Sequence, residues 1–192
     1  MKKFLTVIDM QGDFVLPNGR LPVKDAMDII PATTNFLASL DPKEYVGVLF
    51  TYDTHNKSSY PASEEAKQFP PHCEKGTPGW ELVVGPGLIH NDIPLWRLEK
   101  NVFSMWEEPN LNVFGLYSNG IARDKFFENI KTHTPNIEVI GVAADYCVKW
   151  AVDGFVERGF NVTVYERMTK GIVRDITTVK KEEWEDKLVT IL

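Results

Sequence analysis

Short apolar, β-branched runs alternate along this chain with segments of helical periodicity. That alternation restricts the fold more than any other feature. Residues 4–8, 45–50, 94–98, 137–142 and 160–165 read as strands, and Phe4, Leu5, Val7 and Ile8 typify their composition. Runs that are apolar on both faces belong to strands buried inside a parallel sheet. Residues 26–40 read as a helix: Ile30, Phe36, Leu37 and Leu40 recur at helical spacing, and Pro31 suits a first turn. Residues 121–131 also look helical. Residues 145–157 carry the apolar stripe Val148, Ala151, Val152 and Phe155, with Asp145 placed to cap the start and Gly159 just past the end. An amphipathic segment over 179–192 closes the chain. Strands alternating with helices, joined by right-handed crossovers, predict an α/β fold: a three-layer α/β/α sandwich around a mainly parallel, doubly wound sheet. The weakly periodic stretch 52–92, rich in Pro, Gly and Ser, departs from this pattern. A loop that long in a compact domain is usually functional.

Composition narrows the class. The 192 residues contain no repeat or linker and read as a single domain, 1–192. With 43% hydrophobic and 25% charged residues, the chain is ordinary globular material rather than disordered or fibrous. The net charge is 21 − 27 = −6 without clustered cations, which argues against nucleic acid as a partner. No apolar run approaches the roughly 20 residues of a membrane span. The apolar stretch after Lys2 and Lys3 ends at Asp9, too early for an export signal. A cytoplasmic, reducing compartment and a homo-oligomer are expected. There, two cysteines point to reactivity or metal rather than to a bridge.

In open α/β sheets, ligands bind outside the carboxyl ends of the strands. The reactive side chains gather there. The first strand ends at Asp9, the second runs into Asp53 and His55, the third ends at Lys100, and the fourth is followed by Cys147. At the second position of a helix capped by Asp145, Cys147 would sit near exposed N–H groups and the positive helix end, with Lys100 lowering its pKa further. Asp9 could then take and return the thiol proton. Taken singly, each has a plainer reading: a buried filler cysteine, a turn-closing aspartate, a solvated lysine. Their shared position at the strand ends favours function.

Asp53, His55 and His72 suit a divalent transition metal such as zinc, iron or manganese, with Glu65 as a possible fourth ligand. The alternative is a set of hydrogen-bonded polar groups that order the long loop. Cys73 adjoins His72 without a defined role, and His90 and His133 read as surface residues. Phe14 and Phe69 could stack on a planar substrate or simply pack. The chain has no Gly-rich phosphate loop, no Gly-x-Ser-x-Gly and no His-Glu-x-x-His, which argues against nucleotide-phosphate chemistry, serine hydrolysis of the α/β-hydrolase kind and zincin proteolysis.

Five ordered segments carry a resemblance: Ile8-Asp9-Met10-Gln11-Gly12-Asp13-Phe14; Asp53-Thr54-His55; Phe69-Pro70-Pro71-His72-Cys73 followed by Gly76-Thr77-Pro78-Gly79; Lys100-Asn101-Val102-Phe103-Ser104; and Gly141-Val142-Ala143-Ala144-Asp145-Tyr146-Cys147-Val148. Over residues 4 to 166 the chain resembles the isochorismatase-like cysteine hydrolases, and within them the nicotinamidases. The resemblance implies a triad of Asp9, Lys100 and Cys147, an oxyanion hole from the N–H groups of Ala143 and Cys147, and a cis peptide between Val142 and Ala143. It implies a metal on Asp53, His55 and His72 that meets the pyridine nitrogen of nicotinamide, with Phe14 and Phe69 walling the ring. Many nicotinamidases carry a further histidine after the Asp-x-His pair, and residues 56–61 contain none. Some relatives use a glutamate seven residues before the loop histidine, a place that Glu65 occupies, so Glu65 is the expected fourth ligand. The implied activity is hydrolysis of nicotinamide to nicotinate and ammonia through a thioester, in NAD salvage. The alternatives are a metal-independent cysteine amidase for carbamoyl or ureido compounds, and a catalytically silent binding module.

Overall fold

The computed structural model describes residues 1–115 and 119–192. Among the described residues, eight strands alternate with helices: β1 (Lys3–Ile8), α1 (Gly12–Val15), α2 (Ile30–Ala38), β2 (Tyr45–Asp53), β3 (Leu95–Lys100), β4 (Asn112–Gly115), β5 (Ile121–Ala122), α3 (Arg123–His133), β6 (Asn136–Val142), α4 (Cys147–Glu157), β7 (Asn161–Lys170), α5 (Ile176–Glu183) and β8 (Val189–Ile191). They form one sheet in the order β5-β4-β3-β2-β1-β6-β7-β8. All neighbours are parallel except β3 with β4 and β4 with β5. The expected three-layer, mainly parallel, doubly wound α/β sandwich is therefore the fold observed.

The strands build two cores because successive side chains leave opposite faces. From β1, Phe4 and Ile8 enter one core with Phe126, Phe127, Val148, Val152 and Phe155 of α3 and α4. Leu5 and Val7 enter the other, with Leu37 of α2 and Trp80, Val84 and Ile93 of the long loop. α3, α4 and α5 thus cover one face, while α1, α2 and the loop cover the other.

Several boundaries differ from expectation. Residues 26–40 divide into a 3-10 turn, Ala26–Ile29, and α2, with Pro31 in its first turn as expected. The segment 179–192 is not one helix. α5 starts earlier, where the Asp175 side chain accepts from the Thr178 N–H at 2.7 Å, and the chain then turns into β8. The β-branched Val189, Thr190 and Ile191 pair with the otherwise open edge of β7. Ile121 and Ala122 form a strand against β4 rather than a helical turn, so α3 begins at Arg123. β4 carries no sequence signal, because its four residues are too few to show a period.

The topology turns back between β1 and β6, which lie side by side at the centre. At Gly141, φ is +119°, and a Cβ there would stand 2.1 Å from the Ile8 carbonyl oxygen. Only glycine permits β6 to approach β1 this closely just before the rim.

Candidate active site

Four strand ends deliver the reactive groups to one rim. β1 ends before Asp9, β2 ends at Asp53, β3 ends at Lys100, and β6 leads through a cis Val142–Ala143 peptide into α4 at Cys147. Asp9, Asp53 and Lys100 are all but fully buried, at 0%, 0% and 2% exposure, so their charges must compensate one another. The Lys100 Nζ lies 2.9 Å from Asp9 Oδ2, 3.5 Å from Asp53 Oδ1 and 3.6 Å from Cys147 Sγ. Burial alone would drive the Lys100 ammonium down. The carboxylates of Asp53 and Asp9 outweigh it and hold Lys100 firmly protonated.

The expected depression of the Cys147 thiol is not what the structure shows. Burial pushes it up well above the ordinary thiol range, and Asp9 adds to this, while Lys100 opposes it. A sulfur enclosed by protein loses more hydration as a thiolate than one cation returns. A sulfur that favours its proton, set beside Asp9 and Lys100, is an arrangement suited to proton transfer at the moment of attack.

Helix α4 also starts later than expected. Its cap is Tyr146, without a side-chain cap bond, and Cys147 is its first residue rather than its second. Asp145 does not cap it. Its carboxylate accepts the N–H groups of Ile172, Val173 and Arg174 at 2.8–2.9 Å, because that loop presents three convergent donors. The amides of Ala144, Tyr146 and Val148 are committed to backbone carbonyls. The N–H of Cys147, in the first turn, belongs to those a helix leaves unpaired.

Beside this group, Asp53, His55, Glu65 and His72 converge, all buried, with one ligand atom of each within 4.8 Å of every other. Asp53 Oδ2 lies 3.2 Å from His55 Nε2 and 3.0 Å from His72 Nε2. Glu65 Oε2 lies 3.0 Å from His55 Nε2 and 3.8 Å from His72 Nε2. The His72 Nδ1 faces the Pro70 carbonyl oxygen at 2.8 Å, which suits an Nδ1–H donor and turns the Nε2 lone pair toward the carboxylates. Although His55 is close, neither Glu65 oxygen has an aligned hydrogen-bond donor among the described residues. Lone pairs of imidazole and carboxylate pointing at a common centre are the donor set of a transition-metal cation. The cluster favours positive charge at its centre, whether a proton or a metal ion. Burial would raise Asp53, but Lys100, His55 and His72 hold it well below the usual carboxylate range. Burial would lower His55, but Asp53 and Glu65 raise it to about 9. Burial raises Glu65.

Over Cys147, Phe14, Leu21, Phe69, Phe103, Ala143, Tyr146 and Ile172 enclose a narrow apolar cleft. The Phe14 ring lies 5.3 Å from that of His72, and Phe69 packs edge-on against Phe103 and Tyr146 at 5.5 Å. Phe14 thus links the cleft over Cys147 to the histidine cluster at His72. The two cysteines are unpaired. Cys73 lies outside the ligand cluster, and its N–H is held by Asp13 Oδ2 at 2.7 Å. His90 and His133 are exposed, as expected.

The model of the isochorismatase domain matches residues 3–180. The chain belongs to the isochorismatase domain family. Among relatives of this family, the nicotinamidase of Saccharomyces cerevisiae is 25% identical, covering 96% of this chain and 95% of the relative. The nicotinamidase/pyrazinamidase of Mycobacterium tuberculosis is 25% identical, covering 98% and 97%. The solved pyrazinamidase of Pyrococcus horikoshii, in complex with zinc, superposes with a TM-score of 0.74 at 26% identity, covering 100% of this chain and 99% of that one.

Some residues of this isochorismatase-family site escaped the sequence reading. Gln11 clamps the backbone of Asp53: its Oε1 accepts the Asp53 N–H at 2.8 Å, and its Nε2 donates to the Asp53 carbonyl at 2.9 Å. Tyr60 donates to the Phe69 and Pro70 carbonyls at 3.0 Å, fixing the loop that carries His72. Thr51 bonds Asp9 directly. No spacing rule marks such residues, because their partners lie many positions away in the chain.

Proposed function

We propose that the protein hydrolyses nicotinamide to nicotinate and ammonia, with Cys147 as nucleophile and Asp9 as the acid–base group. The observation that carries this reading is the contact set of one buried ammonium. Lys100 touches Asp9, Cys147 and Asp53, and so places a thiol and a carboxylate beside the cluster of metal-binding residues. The similarity to nicotinamidases along nearly the whole chain supports the substrate.

Asp9 takes the proton of Cys147 as sulfur bonds to the amide carbon. The carbonyl oxygen gathers charge and is held by the N–H groups of Ala143 and Cys147. Removing one such donor typically costs about 10²–10³ in rate. As the carbon–nitrogen bond breaks, Asp9 passes its proton to the departing nitrogen, releasing ammonia and leaving a thioester. Asp9 then takes a proton from water as the water oxygen attacks the same carbon. The carbon–sulfur bond breaks, and the proton returns to sulfur as nicotinate leaves. Lys100 stays charged throughout and keeps the two anions tolerable in a buried site. Phe14 and Phe69 wall the ring.

Asp53, His55, His72 and Glu65 would hold a divalent cation, and their nitrogen and oxygen donors suit zinc, with iron or manganese as variants. Such an ion supplies Lewis acidity and a coordination position for a ring nitrogen or water. Metal analysis of the purified protein is expected to find one divalent ion per chain, lost in His72→Ala. An ion retained at full stoichiometry in that variant would contradict the ligand set.

Ammonia release from nicotinamide, pyrazinamide, carbamoylsarcosine and ureido compounds tests the substrate. The two aromatic ring amides are expected to exceed the others in kcat/KM by about 10²-fold or more, since aromatic side chains line the cleft over Cys147. Preference for a carbamoyl or ureido compound would overturn the reading.

A further inference from the structure

We propose that Thr51 is a positioning residue for this reaction: its hydroxyl locks the Asp9 carboxylate in the orientation that receives the Cys147 proton. The inference rests on the roles given above to Asp9 and Cys147.

Thr51 lies in β2, fully buried, two residues before Asp53. Asp9 leaves β1 in the left-handed region, at φ 46°, which few non-glycine residues adopt. The β1–β2 pairing therefore stops at Val7 opposite Phe50, and side chains take over the connection. The Asp9 N–H donates to Thr51 Oγ1 at 3.2 Å, and Thr51 Oγ1 donates to Asp9 Oδ1 at 2.6 Å. One hydroxyl thus accepts from the backbone of Asp9 and donates to its side chain. A hydroxyl proton ordinarily rotates to suit its surroundings. Here the oxygen's commitment to the N–H directs the proton to Oδ1. With Oδ1 occupied, Oδ2 is the oxygen that meets Lys100 and is left to serve the thiol.

The Gln11 clamp joins the same two strand ends two residues further along, but it grips the backbone N–H and carbonyl of Asp53, so among these two cross-strand links only the Thr51 hydroxyl reaches a carboxylate. Side-chain volume does not account for Thr51. Valine would fill the same space, yet it would leave a buried N–H and a buried carboxylate oxygen without partners.

For the best amide of the panel, Thr51→Val is expected to lower kcat about 10- to 100-fold with KM within about twofold, the effect of losing one hydrogen bond to a charged group. Thr51→Ser keeps the hydroxyl and is expected to restore kcat to within about threefold of the unaltered enzyme. Metal content should be the same in both variants. Equal kcat in the valine and serine variants would overturn the proposal. Should the valine variant fail to fold, Thr51→Ala against Thr51→Ser makes the same comparison, with equality again the contrary result. Cys147→Ala assayed alongside separates the two levels. Activity in that variant would defeat the nucleophile assignment itself, whereas a silent Cys147→Ala with an unaffected Thr51→Val would defeat the role of Thr51 alone.

Discussion

Cys147→Ala is expected to lower nicotinamide turnover by about 10⁴-fold or more, the scale of removing a catalytic nucleophile. The same variant should keep the melting temperature and the metal content of the parent. The sulfur sits at the first position of α4, where alanine is a good helix former, and it ligates nothing in the histidine cluster. Lys100 loses its contact to the sulfur, while its ion pairs with Asp9 and Asp53 remain. Ammonia release and thermal unfolding on one preparation check both halves. Residual activity within about tenfold of the parent would contradict the assignment, because no other group at the rim could replace a nucleophile at that cost.

Lys100→Met should behave differently. Methionine preserves the apolar stem but removes the cation that lies between two buried carboxylates. Breaking a buried ion pair by deleting one partner costs about 3–5 kcal/mol, because the remaining charge has neither solvent nor counter-ion. In a domain of this size, each kcal/mol moves Tm by about 2–4 °C, so a fall of roughly 6–20 °C is expected. Activity should be lost with it, since Asp9 then faces Asp53 and the thiol without compensation. Calorimetry of Cys147→Ala and Lys100→Met side by side distinguishes chemistry from architecture. A Lys100→Met protein as stable as the parent would show that the carboxylates are solvated or neutral.

The contrast between these two variants also marks what could be read before folding. Periodicity located the parallel strands, and the rule that parallel sheets bind ligands at strand ends brought Asp9, Asp53, Lys100 and Cys147 to one rim. Glu65 joins the histidine cluster, as the resemblance to relatives implies. What escaped depends on tertiary environment. The Cys147 thiol is raised because of enclosure, which no local pattern encodes. Asp145 looked like a helix cap because it precedes an apolar stripe, yet three N–H groups about 28 residues away claim its carboxylate. Thr51 and Gln11 read as ordinary strand and loop residues, and only the left-handed turn at Asp9 brings them into use. The short antiparallel strands β4 and β5 hold too few residues for alternation to show.

The central claim, a covalent step on Cys147 with nicotinamide as substrate, is tested most directly by intact-mass analysis of enzyme quenched in acid during turnover. The account predicts a nicotinoyl thioester that maps to the peptide containing Cys147 and is absent from Cys147→Ala. Sustained turnover of nicotinamide with no adduct, or an adduct on any other residue, would contradict it.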